Sequence, residues 1–383
     1  MINSLVKFIR DIYKTNEFIA LHEPSFNGNE LLYVTEAINS TYVSSVGKFV
    51  DEFEKGIERY TASPGAVSTV NGTAALHASM YVAGVMPGEV VITQALTFVA
   101  TCNAIHHMGA QPVFVDVSKS TMGLCPKALE LFLEENAVLE IDGSFLKSSK
   151  KRIRAVIPMH TYGHPVELDE IVMICKKWKL VLIEDAAESL GSFYKGRHTG
   201  TIGEFGAISF NGNKVITTGG GGMVLCSSED DKQIVKHVTT TAKVPHSYEF
   251  FHDVAGFNYR MPNLNAALGV GQLEVLNSHL LKKRELAMHY KAFFKDSEYS
   301  FVDEPVDTRS NFWLNSLVCS NLDARNNLIE KANAAGIMMR PVWIPMHKLP
   351  VFKGALRGDL SNTEWFESRV VNIPSSPVEV SHA

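Results

Sequence analysis

In the middle of the chain a carboxylate and a lysine stand at the ends of two successive apolar runs. Leu180 to Ile183 ends in Glu184-Asp185, and Gly206 to Phe210 is followed by Asn211-Gly212-Asn213-Lys214. A four-glycine run, Gly219 to Gly222, closes the segment. A lysine amine condenses with an aldehyde, and a carboxylate beside a pyridine nitrogen keeps that ring protonated. Pyridoxal phosphate needs both partners, and Asp185 and Lys214, 214 − 185 = 29 positions apart, suit the two roles. Taken singly, each also reads as an ordinary surface charge, an exposed strand-end acid or a solvated turn lysine.

Strands must hold these groups, and the pattern supplies them. Short β-rich runs occur at Ala66–Val70, Val90–Thr93, Pro112–Asp116, Arg154–Pro158, Leu180–Glu184, Gly206–Phe210 and Gly222–Cys226. Helical spacing fills the gaps at Thr73–Val85, Phe98–His107, Pro126–Asn136 and Leu168–Lys179, and earlier at Glu30–Ser40 and Phe49–Tyr60. This alternation predicts an α/β fold with a mostly parallel seven-stranded sheet and helices on both faces. Only eleven residues, 211 to 221, join the last two strands, which is short for a parallel crossover and predicts an antiparallel pair.

Residues 1–20 read as a mixed apolar and charged arm, 21–262 as the large cofactor-binding domain, and 263–383 as a smaller C-terminal α+β domain. That domain opens with a long bridging helix from Asn263 to about Phe294. A strand (Trp313–Cys319), a helix (Arg325–Ala335), a strand (Ile337–Val342) and a helix (Glu364–Val371) follow. The Ser- and Lys-rich stretch Asp142–Lys151 is expected as an exposed loop.

Ligands of open parallel sheets bind beyond the carboxyl ends of the strands. Asn71-Gly72-Thr73-Ala74 follows the first strand and opens a helix, where free N–H groups seat a phosphate. A plain helix cap at Asn71 or Thr73 is the alternative. Phe98 follows the second strand and by itself reads as an ordinary core residue. His160 follows the fourth and reads as a ligand contact or a hydrogen-bonded structural histidine. Gly212-Asn213-Lys214 lacks the upstream glycine of a P-loop, and the glycine run lacks dinucleotide-site spacing.

The 383 residues suffice for two domains with a sizeable core. With 45% hydrophobic and 20% charged residues, the composition is that of a soluble protein. A formal net charge of −5 argues against nucleic acid or an anionic membrane as partner. The apolar runs are short of a membrane span, and Lys7, Arg10, Asp11 and Lys14 interrupt any signal-peptide core. Five scattered cysteines, without a CxxC, indicate neither disulfide framework nor metal site and fit a reducing cytoplasm.

Glu184-Asp185-Ala186-Ala187-Glu188-Ser189-Leu190-Gly191, then Ser209-Phe210 before the Lys214 loop, then the glycine run, resemble the sugar aminotransferases of the DegT/DnrJ/EryC1/StrS family. The resemblance extends over nearly the whole chain and implies the type I fold of pyridoxal phosphate enzymes. It implies Lys214 and Asp185 as catalytic residues, the turn Gly72, Thr73 and Ala74 with Ser209 on the phosphate, and Phe98 on the ring. Glu188 would face the cofactor's 3′-oxygen or the substrate. Asn258 matches a residue given to the neighbouring subunit's phosphate, which implies a homodimer with shared active sites. His160, Arg260, Arg340, Trp343 and His347 are candidates near the substrate.

The implied reaction takes the amino group of L-glutamate, releases 2-oxoglutarate, leaves pyridoxamine phosphate, and then aminates a nucleotide-linked keto sugar. Tyr42-Val43-Ser44-Ser45-Val46-Gly47-Lys48 and Asn372-Ile373-Pro374-Ser375-Ser376-Pro377 resemble the branch acting at C4 of UDP-linked 2-acetamido sugars, toward legionaminic-type nonulosonic acids. Amination at C3 of a dTDP-linked sugar and an idle, regulatory cofactor-binding protein are the alternatives. A dehydratase relative carries histidine in place of the lysine, and the presence of Lys214 disfavours that reading.

Overall fold

The computed structural model describes residues 2–380. Its spine is a seven-strand path of β1 (Gly65–Thr69), β2 (Val90–Gln94), β3 (Gln111–Val115), β4 (Arg152–Ile157), β5 (Val181–Asp185), β6 (Phe205–Ser209) and β7 (Gly222–Cys226). Their spatial order is β1-β7-β6-β5-β4-β2-β3. The pairs along β6-β5-β4-β2-β3 are parallel, and β7 is antiparallel to both β6 and β1. The short link before β7, residues 210–221, makes the antiparallel return expected from the sequence.

Every residue of β1, β2 and β7 is buried, as a sheet covered on both faces requires. Alternation divides the side chains between the two faces. Val67, Val91, Ile183, Ala207 and Val224 pack with helix Gly72–Val82 through Ala75, Leu76 and Met80. Across the sheet, Ala66, Ile208 and Met223 meet Phe53 and Ile57 of helix Lys48–Thr61, with Ala266 and Leu276 of the long helix Asn263–Phe294. Val90, Ile92, Val156 and Leu182 meet Leu129 and Ile171 of helices Pro126–Asn136 and Leu168–Lys177.

The long helix leads to a small antiparallel sheet. Its strands lie in the order Ser300–Phe301, Asn315–Val318, Val370–Ile373, Arg340–Pro341. Three expectations change here. The helix expected to reach Val371 stops at Glu367, because Val370–Ile373 is a buried strand paired on both sides. β-Branched residues suit that position better than a helix. Part of the stretch expected as an exposed loop is strand: Gly143–Leu146 pairs with Ala137–Glu140 and joins the edge of β4. Its Ser144 hydroxyl is buried on the Trp178 carbonyl. The N-terminal arm is helical over Ile2–Tyr13 and buries Leu5, Ile9 and Ile12 against Leu286, Tyr290 and Phe294. Arg10 ties it down by donating to the carbonyls of Thr15, Glu17 and Ala335. Among the described residues, no helix is long and apolar enough to cross a membrane.

Candidate active site

A cleft of about 400 Å³ opens at the carboxyl ends of β5 and β6, lined on one side by the start of helix Gly72–Val82 and on the other by Trp313 and Trp343. Gly72, Thr73, Phe98, Asp185, Glu188, Ser209, Lys214 and Trp343 of the sequence candidates all line it.

Asp185 ends β5 with its backbone clamped to the next segment. Its N–H donates to the Pro158 carbonyl at 2.9 Å, and its carbonyl accepts from the His160 N–H at 3.1 Å. Its carboxylate accepts the Thr101 hydroxyl at 2.7 Å and the Ala187 N–H at 3.2 Å. Burial pushes the Asp185 carboxyl up, and these two donors with the Lys214 charge offset only part of that.

Glu188 lies one turn further on and accepts the Tyr162 N–H at 2.9 Å. Tyr162 aims that N–H from a left-handed conformation, φ 56°, which is costly for a bulky residue. Burial pushes Glu188 up to about 7 against the pull of Lys214. The Lys214 amine donates to Glu188 Oε1 at 3.4 Å and lies 4.0 Å from the centre of the Trp313 ring.

At the helix start, Asn71 is the N-cap and its side chain accepts from the Ala74 N–H at 2.8 Å. Ala74 was expected on the phosphate. Its N–H is spent on the cap, leaving Gly72 and Thr73 as the helix-start residues that line the cleft. A Cβ on Gly72 would come within 2.9 Å of Ser209 Cβ, so only glycine lets the turn close on Ser209. Phe98 caps the next helix, half-exposed, its ring centre 6.3 Å from that of Trp343.

The remaining candidates lie outside the cleft. His160 is fully buried behind β5: its Nε2–H donates to Glu184 at 3.0 Å and its Nδ1 accepts from the Val166 N–H. It is placed as a structural histidine, not as a ligand contact. Arg260 donates through Nε and Nη2 to Asn258 Oδ1, both at 3.1 Å. Arg340 is exposed on the edge strand of the small sheet. His347 pairs with Glu364 at 3.3 Å.

Trp313, Met159 and Thr101 were not anticipated. Trp313 and Met159 line the cleft, and Thr101 holds Asp185. Thr101 was visible one turn after Phe98. Trp313 lies 100 positions from its partner Asn213, and no local pattern marks it.

A phosphate-bearing pyridine aldehyde fits this set. The Gly72–Ser209 turn suits its phosphate, Phe98 its ring face, Lys214 its aldehyde, and Asp185 its ring nitrogen. Two buried carboxylates raised by burial share one ammonium, so a cationic ring supplies the charge that the pair lacks. A family model described as the DegT/DnrJ/EryC1/StrS aminotransferase family matches residues 24–380. The chain belongs to this family.

The family is pyridoxal phosphate-dependent. Among curated relatives, the chain is 34% identical over 366 residues to the GDP-perosamine synthase of Escherichia coli O157:H7, covering 94% of each. It is 32% identical to the GDP-perosamine synthase of Caulobacter vibrioides, covering 93% of each. Among solved structures, an aminotransferase of the same family from Brucella abortus superposes with a TM-score of 0.82 at 25% identity, over 91% of this chain and 90% of that one. No cluster of three or more His, Cys, Asp or Glu side chains suited to a metal ion occurs among the described residues.

Proposed function

We propose that the protein transfers an amino group from L-glutamate to a nucleotide-linked keto sugar, at C4 of a UDP-2-acetamido-4-keto-2,4,6-trideoxyhexose. The observation that carries the transfer is the convergence of Lys214, Asp185 and Glu188 on one cleft beside a helix start. When bound, pyridoxal phosphate supplies an aldehyde to accept the amino group and a ring to delocalise the electrons of the adjacent carbon. Gly72, Thr73 and Ser209 would hold its phosphate, and Phe98 would face its ring. Asp185 would keep the ring nitrogen protonated. Lys214 takes and returns the proton at the carbon that bears the nitrogen, as general base and then acid. Glu188, at 3.4 Å, balances the charge on its amine.

Support for a sugar comes from the family, and Trp343 lines the cleft beside Phe98 as an apolar wall. Support for a shared site comes from charge. Among the described residues lining the cleft, Lys214 is the only cation, and a nucleotide diphosphate needs more than one. Arg260 and Asn258 lie outside it in the same chain, bonded to each other, with Asn258 exposed. We therefore propose a homodimer in which Asn258 acts in trans, and a cytoplasmic enzyme, in keeping with five free thiols. The names of the two relatives favour a second reading, a GDP-linked sugar.

The test supplies UDP- and GDP-linked 4-keto sugars and their 3-keto counterparts with glutamate and locates the new amine by NMR. Turnover of the UDP 4-keto sugar is expected. Turnover of the GDP sugar alone replaces the nucleotide, and of a 3-keto sugar alone the position. Reaction with only a free ketoacid or aldehyde overturns the assignment. For the dimer, hybrids of Lys214→Ala and Asn258→Ala chains carry one intact site if Asn258 acts in trans. Activity should then return on subunit exchange, and verified hybrids that stay dead exclude the shared site.

A further inference from the structure

We propose that Trp313 is the positioning residue of Lys214, holding both the amine and the loop that carries it. The inference rests on Lys214 being the catalytic amine. Trp313 makes two separate contacts with that loop. Its indole face lies under the Lys214 amine, 4.0 Å from ring centre to Nζ. Its ring N–H donates to the carbonyl of Asn213, the preceding residue, at 2.7 Å. A cation over an indole face is attracted by the ring quadrupole, more so where water is excluded. Trp313 is 4% exposed, so the contact is largely dry.

The tryptophan is itself held on both sides. Its backbone N–H donates to Asn311 Oδ1 at 2.8 Å, and its carbonyl accepts from the buried Lys283 amine at 3.1 Å. Asn311 in turn donates to the carbonyls of Glu188 at 2.8 Å and Leu190 at 2.9 Å. Asn311 and Trp313 therefore link the turn that carries Glu188 to the loop that carries Lys214. The Glu188 carboxylate is the amine's other partner. The spacing between acid and base is thus fixed through residues of the segment entering the small sheet. Such fixing keeps Lys214 within reach of the reacting carbon while leaving its amine free to leave the aldehyde.

Two substitutions separate the contacts. Trp313→Phe keeps a ring face and loses the N–H bond to Asn213, whereas Trp313→Leu loses both. The first readout is independent of turnover. Cofactor-free protein is treated with formaldehyde and cyanoborohydride, and methylation of Lys214 is measured by peptide mass spectrometry relative to the other lysines. Freed of the indole, Lys214 should label about fivefold faster in Trp313→Leu and less so in Trp313→Phe. The second readout is the half-reaction with glutamate, where kcat should fall about tenfold in both variants with KM little changed.

Wild-type labelling ratios in both variants, or a loss confined to KM, would overturn the proposal. A uniform rise in labelling of all lysines in Trp313→Leu would mark general loosening, and Trp313→Phe then decides. Lys214→Ala separates the two levels of the argument. If that variant remains active, the reading of Lys214 fails and this inference with it. If it is dead while the Trp313 variants behave as wild type, only the inference fails.

Discussion

Glu184 and Asp185 are consecutive, both are buried, and both end β5, yet their surroundings are opposite. Strand alternation sends one to each face of the sheet. Glu184 receives the His160 ring N–H at 3.0 Å and the backbone N–H groups of Gly200, Ile202 and Gly203 at 2.8, 2.7 and 2.8 Å. Burial alone would raise its carboxyl, but these donors outweigh it and hold it below the usual range. Asp185 has one hydroxyl and one N–H, and burial wins. Glu188, beside the same cleft, is raised as well, to about 7. A fully satisfied carboxylate is a fixture of the fold. Under-satisfied ones beside a cleft are poised for a charge that the protein does not itself supply.

The largest expected effect lies on the reactive side. Lys214→Ala should lower turnover by at least roughly ten-thousand-fold, because proton transfer and attachment both fail. It should abolish the visible band of lysine-bound cofactor while leaving the circular dichroism unchanged. A borohydride-reducible cofactor adduct on a different lysine would show that the amine was misassigned.

Next comes the satisfied side. Glu184→Gln puts an amide among donors and strips His160 of its acceptor charge. It should destabilise the protein by roughly 3–5 kcal/mol. The folded fraction should keep its half-reaction rate within a few-fold. Denaturant titration and stopped-flow spectroscopy on one preparation measure both. A variant of unchanged stability but lost chemistry would erase the distinction between the two carboxylates.

The smallest effect sharpens the same distinction. In the cofactor-free protein Glu188 titrates at about 7, against 4.5 as its ordinary value. A raised folded-state pKa means that the folded protein holds the proton longer than the unfolded chain. Stability contributed by this group is complete below about pH 4.5 and is lost as pH rises through about 7. Glu188→Gln stays neutral and avoids that loss. It should gain on the wild type from pH 5 to pH 8, by at most on the order of 3 kcal/mol. Thermal melts of both apo proteins across that range measure the gain, and parallel curves would mean that Glu188 is ionised throughout.

What the sequence determined by itself is local. Seven strands announced themselves through β-rich runs, each within two residues of its observed bounds, and the shortness of the link before β7 pointed to its antiparallel direction. Asp185 at a strand end, Lys214 in a loop after a strand, and glycine at a helix start are all readable because each depends on a few neighbours. Tertiary structure decided the rest. The insertion of β7 between β6 and β1 depends on pairing across the whole domain. Whether Val370–Ile373 is helix or strand was settled by the two strands that flank it. His160 and Glu188 were similar polar candidates in the sequence, but only the fold shows that one faces Glu184 and the other Lys214. Trp313 reaches the Lys214 loop from a hundred positions away. Periodicity and turn chemistry act over a few residues, whereas burial and partner count, which set the pKa of each carboxylate, come from atoms that only the folded chain brings together.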